Sequence, residues 1–397
     1  LPQVQGISQS KEDELLLNQV PPFSFMWQTS YTRTSKAVPD SGAGIDGNSQ
    51  NGQVLFPQQA SLFYAGRVAP GLGSFVQITY DSVAGNVHWD NTELRYAQQA
   101  SLLSSPLTWG LTMNNNPTVQ DIFNSTPAWQ TPFDQRSNAA PVPGAATLID
   151  GGLAGRVAGL TGYLWWKNSV YAELGLYRSA PQGHEFRNGA GPLDSTNADG
   201  TLISNAPYWR VAYEHQWDRN SLSVGAYGLT AKISPEGQPV GPPADKFVDT
   251  AVDAQYQFIG DEHILSGQTT YIKEKQTLDA TFGAAGSDNA TNDLKTFRVG
   301  ASYYYRRNYG GALGYFSTTG SADATLRGMA AVTGFANGSP NSNGWIGELD
   351  WVPYQNVKVA LQYIAYDKFN GAKTDYDGSG RNAKDNNTLY LLGWLAF

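Results

Sequence analysis

The sequence predicts an all-β chain that closes on itself as a single transmembrane antiparallel β-barrel of about sixteen strands. Three observations predict it. Bulky and polar residues alternate with a period of two over segments of roughly 10–15 residues, long enough to cross a bilayer as tilted strands. The connections between these segments alternate between short and long along the whole chain. The final segment keeps its alternation to the end and closes on Phe397. Composition agrees with this class. Of 397 residues only 15% are charged while 12% are aromatic, and no run of about 18 apolar residues offers a helical span.

Taken in order, the first strand lies within residues 23–36, where Phe23, Phe25, Trp27 and Tyr31 alternate with Ser24, Gln28, Ser30 and Thr32. Its bulky row wants lipid. Val248, Val252, Ala254, Tyr256 and Phe258 interleave in the same way with Asp249, Asp253, Gln255 and Gln257, and Phe297, Val299, Ala301, Tyr303 and Tyr305 with Arg298, Ser302 and Arg306. The polar rows want water. Trp27, Tyr31, Trp109, Trp217, Tyr256, Tyr303 and Tyr363 are expected to face lipid, several of them in the interfacial girdles. Leu389, Leu391, Gly393, Leu395 and Phe397 give the last strand one apolar face.

Short connections are expected at residues 70–71, 102–106, 160–161, 218–220, 260–261, 307–308 and 353–354. Long ones rich in Gly, Asn, Asp, Ser and Pro fall at residues 37–54, 114–147, 179–206, 234–245, 277–292, 320–341 and 370–385, with 82–86 the one short connection on that side. Short periplasmic turns and long external loops are the arrangement of a barrel set in the lipid of the bacterial outer membrane. Both termini then fall in the periplasm. Residues 1–20 are expected to form a periplasmic segment, without the basic start and apolar run of a signal peptide. Residues 21–397 form the barrel. A soluble sandwich or propeller would turn its apolar face inward and need not alternate its loop lengths.

Several function classes are closed. There is no cysteine, hence no disulfide, no thiolate metal site and no covalent haem attachment within the chain. Lys and Arg number 26 against 34 Asp and Glu, a formal net charge of −8, which argues against a nucleic-acid partner. His88, His184, His215 and His263 are scattered without metal-ligand spacing, and no nucleophile elbow, phosphate loop or dinucleotide fingerprint occurs, so nothing supports an enzyme. In the last loop Asp375, Asp377, Ser379 and Gly380 imitate the opening of a calcium-binding loop, but Asn386 stands where the bidentate Glu belongs.

The alternation also places charge. Arg67, Arg95, Arg156, Arg210, Arg298, Arg306 and Lys358 fall on the inward face, with Glu93, Glu173, Glu214, Asp249, Asp253, Glu274, Glu348 and Asp350. A charge facing lipid at the bilayer midplane costs about 2–4 kcal/mol, whereas a wet lumen accepts it cheaply. Such groups either fill the barrel as wall-to-wall ion pairs or line a polar pore. Residues 114–147, the longest loop, carry Ile122, Phe123, Trp129 and Phe133, which need a surface to bury against. Pro117 opens a stretch able to form a short helix. This third long connection is expected to fold into the lumen, the alternative being a hydrophobic lid lying over the barrel mouth. Asp121 would then sit at a constriction facing Arg67, Arg95, Arg156, Arg210 and Arg298, with Glu214 also lining the pore.

The stretch Asn114-Asn115-Asn116-Pro117-Thr118-Val119-Gln120-Asp121, followed by Asn124-Ser125-Thr126-Pro127-Ala128-Trp129, resembles a family of outer-membrane barrels associated with or fused to monohaem c-type cytochromes, the cytochrome-porins of iron-oxidising bacteria. So do residues 344–397, with Lys368-Phe369-Asn370-Gly371 and Asp385-Asn386-Asn387-Thr388-Leu389-Tyr390. The resemblance covers nearly the whole barrel and implies a porin-like fold. Many members carry Cys-x-x-Cys-His near the mature N-terminus, and this cysteine-free chain departs from them there. No cofactor is therefore expected in the chain itself, and the resemblance places any haem on an upstream segment or on a separate c-type cytochrome partner. Two functions follow as expectations: a channel passing small polar solutes, or a sheath that houses a cytochrome for electron transfer across the outer membrane. A homo-oligomer is left open.

Overall fold

An extended segment with one apolar and one polar face can cross hydrocarbon only if every backbone N–H and C=O finds a partner on a neighbouring strand. The computed structural model describes residues 22–38, 51–82, 85–117, 140–179, 200–235 and 239–397, which leaves the expected N-terminal segment 1–20 outside the described residues. The first half of the sheet comprises β1 (Phe23–Thr34), β2 (Gln53–Ala69), β3 (Leu72–Asp81), β4 (Asn86–Leu102), β5 (Ser105–Asn114), β6 (Val157–Trp166), β7 (Val170–Ser179) and the two-residue β8 (Thr201–Leu202). The second comprises β9 (Ala206–Trp217), β10 (Asn220–Ser234), β11 (Asp245–Ile259), β12 (His263–Thr277), β13 (Thr291–Tyr305), β14 (Tyr309–Gly320), β15 (Ser342–Tyr354), β16 (Val357–Lys368) and β17 (Thr388–Ala396).

All pairings are antiparallel and, apart from the closing pair β1–β17, join sequence neighbours, except that β7 pairs with β9 while β8 only extends the loop end of β10 at Ile233↔Leu202. Setting β8 aside, the 17 strands of the sheet leave sixteen in the wall. The wall closes where β1 meets β17, from Met26↔Ala396 to Thr34↔Thr388, and Phe25 and Phe397 exchange backbone hydrogen bonds of 2.6 and 2.9 Å. The chain is thus a closed all-β barrel with almost no helix.

The expected faces are present. In β1 Met26, Gln28, Ser30, Thr32 and Thr34 are buried inward, and Phe23, Phe25, Trp27 and Tyr31 point out. Across the wall, Trp109, Leu174, Val211, Trp217, Tyr303, Leu349, Tyr363 and Leu391 are exposed on the outer face. An apolar band this continuous is stable only against lipid. His215 lies on the same face, stacked 5.2 Å from Trp217. Inside, large rings cover glycines of the adjacent strand: a Cβ at Gly159 would lie 2.2 Å from the Tyr177 ring, whose hydroxyl donates to Asn114 Oδ1 at 2.9 Å.

Two turns differ from expectation. Residues 160–161 are not a connection, because β6 runs through them and Thr161 donates inward to Glu173 at 2.6 Å. The reversal occurs at Lys167 and Asn168, both with positive φ (53° and 54°) as a tight hairpin requires. Likewise β15 continues through Pro353 and Tyr354, and the turn falls at Gln355 and Asn356.

Register gives a direct test. Spin labels at Gln255 and Tyr256, adjacent on β11, should report water and lipid respectively; the reverse result would mean that β11 has slipped by one residue and turned every side chain to the wrong face.

Candidate functional site

The lumen takes its character from the inward rows of the strands, and the chain itself enters it. After residues 118–139, which lie outside the described residues together with Asp121, the third long connection resumes at Ala140. Gly144 N–H donates to Asn370 Oδ1 of the last loop at 3.1 Å. Leu148 N–H then donates to Glu274 Oε2 (2.5 Å) on β12, and Ile149 N–H to Asp249 Oδ2 (3.0 Å) on β11. The carboxylate of Asp150 takes both Nη groups of Arg298 on β13, one of them at 3.0 Å. Gly151, at φ +86°, allows the chain to turn away towards β6. Ile149 is buried in a cluster with Tyr177, Tyr208, Tyr227, Leu229 and Ile272. Leu148, Ile149 and Asp150 are therefore fixed to the inner wall of β11–β13 by two backbone donors, one ion pair and one apolar anchor.

Three further polar assemblies line the wall. Arg95 pairs with Glu93, which also accepts from Thr112 at 3.0 Å, and the Arg95 guanidinium lies 5.1 Å from the Tyr163 ring centre. Arg210 and Asp253 form two hydrogen bonds of 2.9 Å with both side chains fully buried. They meet across β10, over Gly225, where a Cβ would come within 2.7 Å of Arg210 and 2.8 Å of Asp253. Lys358 on β16 reaches Glu348 at 2.8 Å and Asp350 at 3.0 Å on β15.

The expected site residues are thus dispersed. Arg95, Arg210 and Arg298 face the lumen, but each is held by its own acid, and none of the three converges on another. Arg67 sits exposed near the turn end of β2, its Nε 3.4 Å from Ala69 O. Glu214 lies near the turn end of β9, where Gln216 and Ser221 donate to it. Arg156 is not on a strand: its N–H caps the turn at Leu153 O (3.1 Å), because the returning loop occupies the chain up to Val157. Arg306 leaves the inward row because it takes φ +50° in the hairpin, and it pairs there with Glu262 at 2.8 Å. Asp150 was absent from the expected set altogether. Asp249 and Glu274 were expected as inward acids, but their loop donors carry no local signature.

Above the wall, carboxylates knit the loops together by accepting backbone N–H groups. Asp323 accepts from Asp288 (2.9 Å), Asn289 (3.2 Å) and Leu326 (3.0 Å), and Asp288 in turn accepts from Ala324 (2.8 Å) and Thr325 (3.0 Å). Asp377 accepts from Val332 (2.8 Å), Ser379 (2.8 Å) and Arg381 (3.1 Å), so its oxygens are spent on the loop backbone. Hydrogen bonds from Thr325 hold Asp288 below the ordinary carboxylate range. Burial alone would raise Asp323 and Asp377, but the amides bonded to them bring both below it. Burial pushes the Tyr376 phenol up to about 12, and it donates to Val332 O at 2.6 Å. Among the described residues no group of three or more His, Asp or Glu side chains is placed to hold a metal ion.

No protein-family profile and no curated protein sequence matches the chain. Among solved structures it is similar to OmpF of Salmonella typhi in complex with daunomycin, at 13% identity and TM-score 0.52 over 94% of this chain and 97% of that one. It is also similar to the outer membrane channel DcaP of Acinetobacter baumannii, at 12% identity and TM-score 0.52 over 94% and 96% of the two chains. The likeness is one of fold: the chain is a closed β-barrel resembling the outer-membrane porins of Gram-negative bacteria.

Asp253→Ala should cost about 3–5 kcal/mol in urea unfolding from detergent micelles, since it removes one partner and both hydrogen bonds of a fully buried ion pair; a loss under about 1 kcal/mol would mean that water reaches the pair. The loop carboxylates have lowered folded-state values, so their contribution is complete above the unfolded value of about 3.9 and disappears as pH falls through the lower folded values. Amide exchange at Asn289 and Leu326, corrected for intrinsic rates, should stay slow from neutrality to about pH 4 and accelerate below it. Acceleration beginning near pH 6 would assign the loop order to other groups.

Proposed function

We propose that the protein is an outer-membrane diffusion channel for small polar solutes, its passage limited by the third long connection lying in the lumen. The observation that carries this reading is the anchoring of Leu148, Ile149 and Asp150 to Glu274, Asp249 and Arg298 on the inner face of three adjacent strands. A segment tethered there occupies cross-section that the wall would otherwise leave to solvent. The polar inward rows support solute passage, and the pairing of Arg95, Arg210 and Arg298 with acids leaves only a weak net field to select between ions. Asp121 keeps its proposed place at the constriction. The sheath around a c-type cytochrome draws no support from the lumen, since part of the chain's own loop already lies within it.

The triple variant Asp150→Asn, Asp249→Asn, Glu274→Gln weakens the polar tethers of Leu148, Ile149 and Asp150 to the wall while keeping side-chain size. Its single-channel conductance in planar bilayers should rise above that of the parent protein, with larger open-state fluctuations. Conductance and noise equal to the parent's would sink the reading that this segment limits the pore. A Soret band co-purifying from native membranes would favour the sheath instead.

A further inference from the structure

The chain is acidic overall, yet its lipid-facing strand surface is basic at the loop end. Among the described strand residues the outward charges are Arg33, Arg178, Lys232, Lys246, Lys273, Lys275 and Lys295 against only Asp293 and Asp367, all within about five residues of the loop ends of their strands. Five of these lysines gather on the four adjacent strands β10–β13. Lys232 stands directly opposite Lys246, and Lys273 directly opposite Lys295, on the same outer face. Lys275 lies one outward row above Lys273 and faces Asp293, the one acid within the patch. All five are exposed. Immediately below them, towards the membrane centre, the outward row changes to Val252, Tyr271 and Phe297.

Like charges directly opposite on one sheet face repel, and a chain that places two such pairs side by side does so at a cost in stability. Elsewhere the chain compensates exposed charge: the turn-side arginines Arg219 and Arg306 pair with Asp261 and Glu262 at 2.8 Å. The lysines that do form ion pairs are Lys36 and Lys358, and none of these five takes part in one among the described residues. Among the described residues only Asp293 stands against them, which leaves the patch open to compensating charge from outside the chain, at the depth where an aromatic interface gives way to head groups.

We propose that Lys232, Lys246, Lys273, Lys275 and Lys295 form a docking surface for a lipid head group carrying more than one phosphate, in the leaflet that meets the long loops. The two clusters, Lys232 with Lys246 and Lys273 with Lys275 and Lys295, are diagonal neighbours, a spacing that suits two phosphates on one head group better than a single anion. The assignment does not depend on what passes through the barrel.

The test uses the purified full chain in neutral detergent micelles, titrated with diphosphoryl lipid A or with the same lipid after removal of its phosphates, and read by native mass spectrometry. The parent protein should retain the phosphorylated lipid and not the dephosphorylated one. Lysine-to-glutamine substitution at all five positions should weaken retention by at least about tenfold, and lysine-to-arginine substitution should keep it within about threefold. Equal retention of both lipids by the parent protein would overturn the proposal without any variant, so it stays exposed even if the glutamine protein fails to fold. Undiminished retention by a folded glutamine variant would also overturn it. Inorganic phosphate at the lipid's concentration should not displace the lipid; displacement would assign the patch to the free anion and remove the lipid from the proposal.

Discussion

The pairing of β1 with β17 is the contact on which the rest of the structure depends. Without it, two strand edges would present rows of unpaired N–H and C=O groups to hydrocarbon, at several kcal/mol for each group. Closure removes both edges at once and fixes an inside and an outside for every strand. Period-two alternation then acquires a meaning that it lacks in an open sheet: one row must dissolve in lipid, and the other is free to carry Arg95, Arg210, Asp249, Glu274 and Arg298. The terminal Phe397 belongs to this closure, bonded to Phe25 through the backbone and packed on its ring at 5.4 Å.

Within that enclosure the chain matches buried charges in two ways. Across the wall it pairs side chain with side chain, as in Arg210 with Asp253 above the bare Gly225. Around the returning loop and the extracellular loops it matches carboxylates with backbone N–H groups, as Asp249, Glu274, Asp323 and Asp377 do. The second device is suited to segments without a ladder of their own, because a carboxylate can satisfy two or three amides that a strand would have paired with another strand.

Much of the wall was legible in the sequence because alternation is local. Trp27, Tyr31, Trp109, Trp217, Tyr256, Tyr303 and Tyr363 stand on the outer face as the period-two reading requires, and the expected strand number matches the wall. Turns were less legible. Leu160 and Thr161 read as a turn, but β6 runs through them beside Gly159, which makes room for the Tyr177 ring, and the reversal instead uses Lys167 and Asn168. The site was legible least of all. Asp150 and Arg298 are 148 residues apart, and nothing near either one signals the other. Alternation placed Arg95, Arg210 and Arg298 on the inner face, but it assigns a side chain to a face without saying which partner on that face it will find, so their pairing with Glu93, Asp253 and Asp150 could not be read from it.

The strands are of unequal length, and this has a consequence for how the protein sits in its membrane. β5, β6 and β7 have 10 residues each and β10 to β13 have 15 each. At about 3.3 Å per residue and a tilt near 40°, the first group stands about 25 Å tall, the height of the apolar band, and the second exceeds it by roughly 12 Å. The hydrogen-bonded wall is thus a collar of uneven height. On one flank the bilayer surface meets loop chain, and on the other it meets rigid sheet. The molecule is not equivalent to itself under rotation about the membrane normal, and its ring of neighbouring lipids differs from one flank to the other.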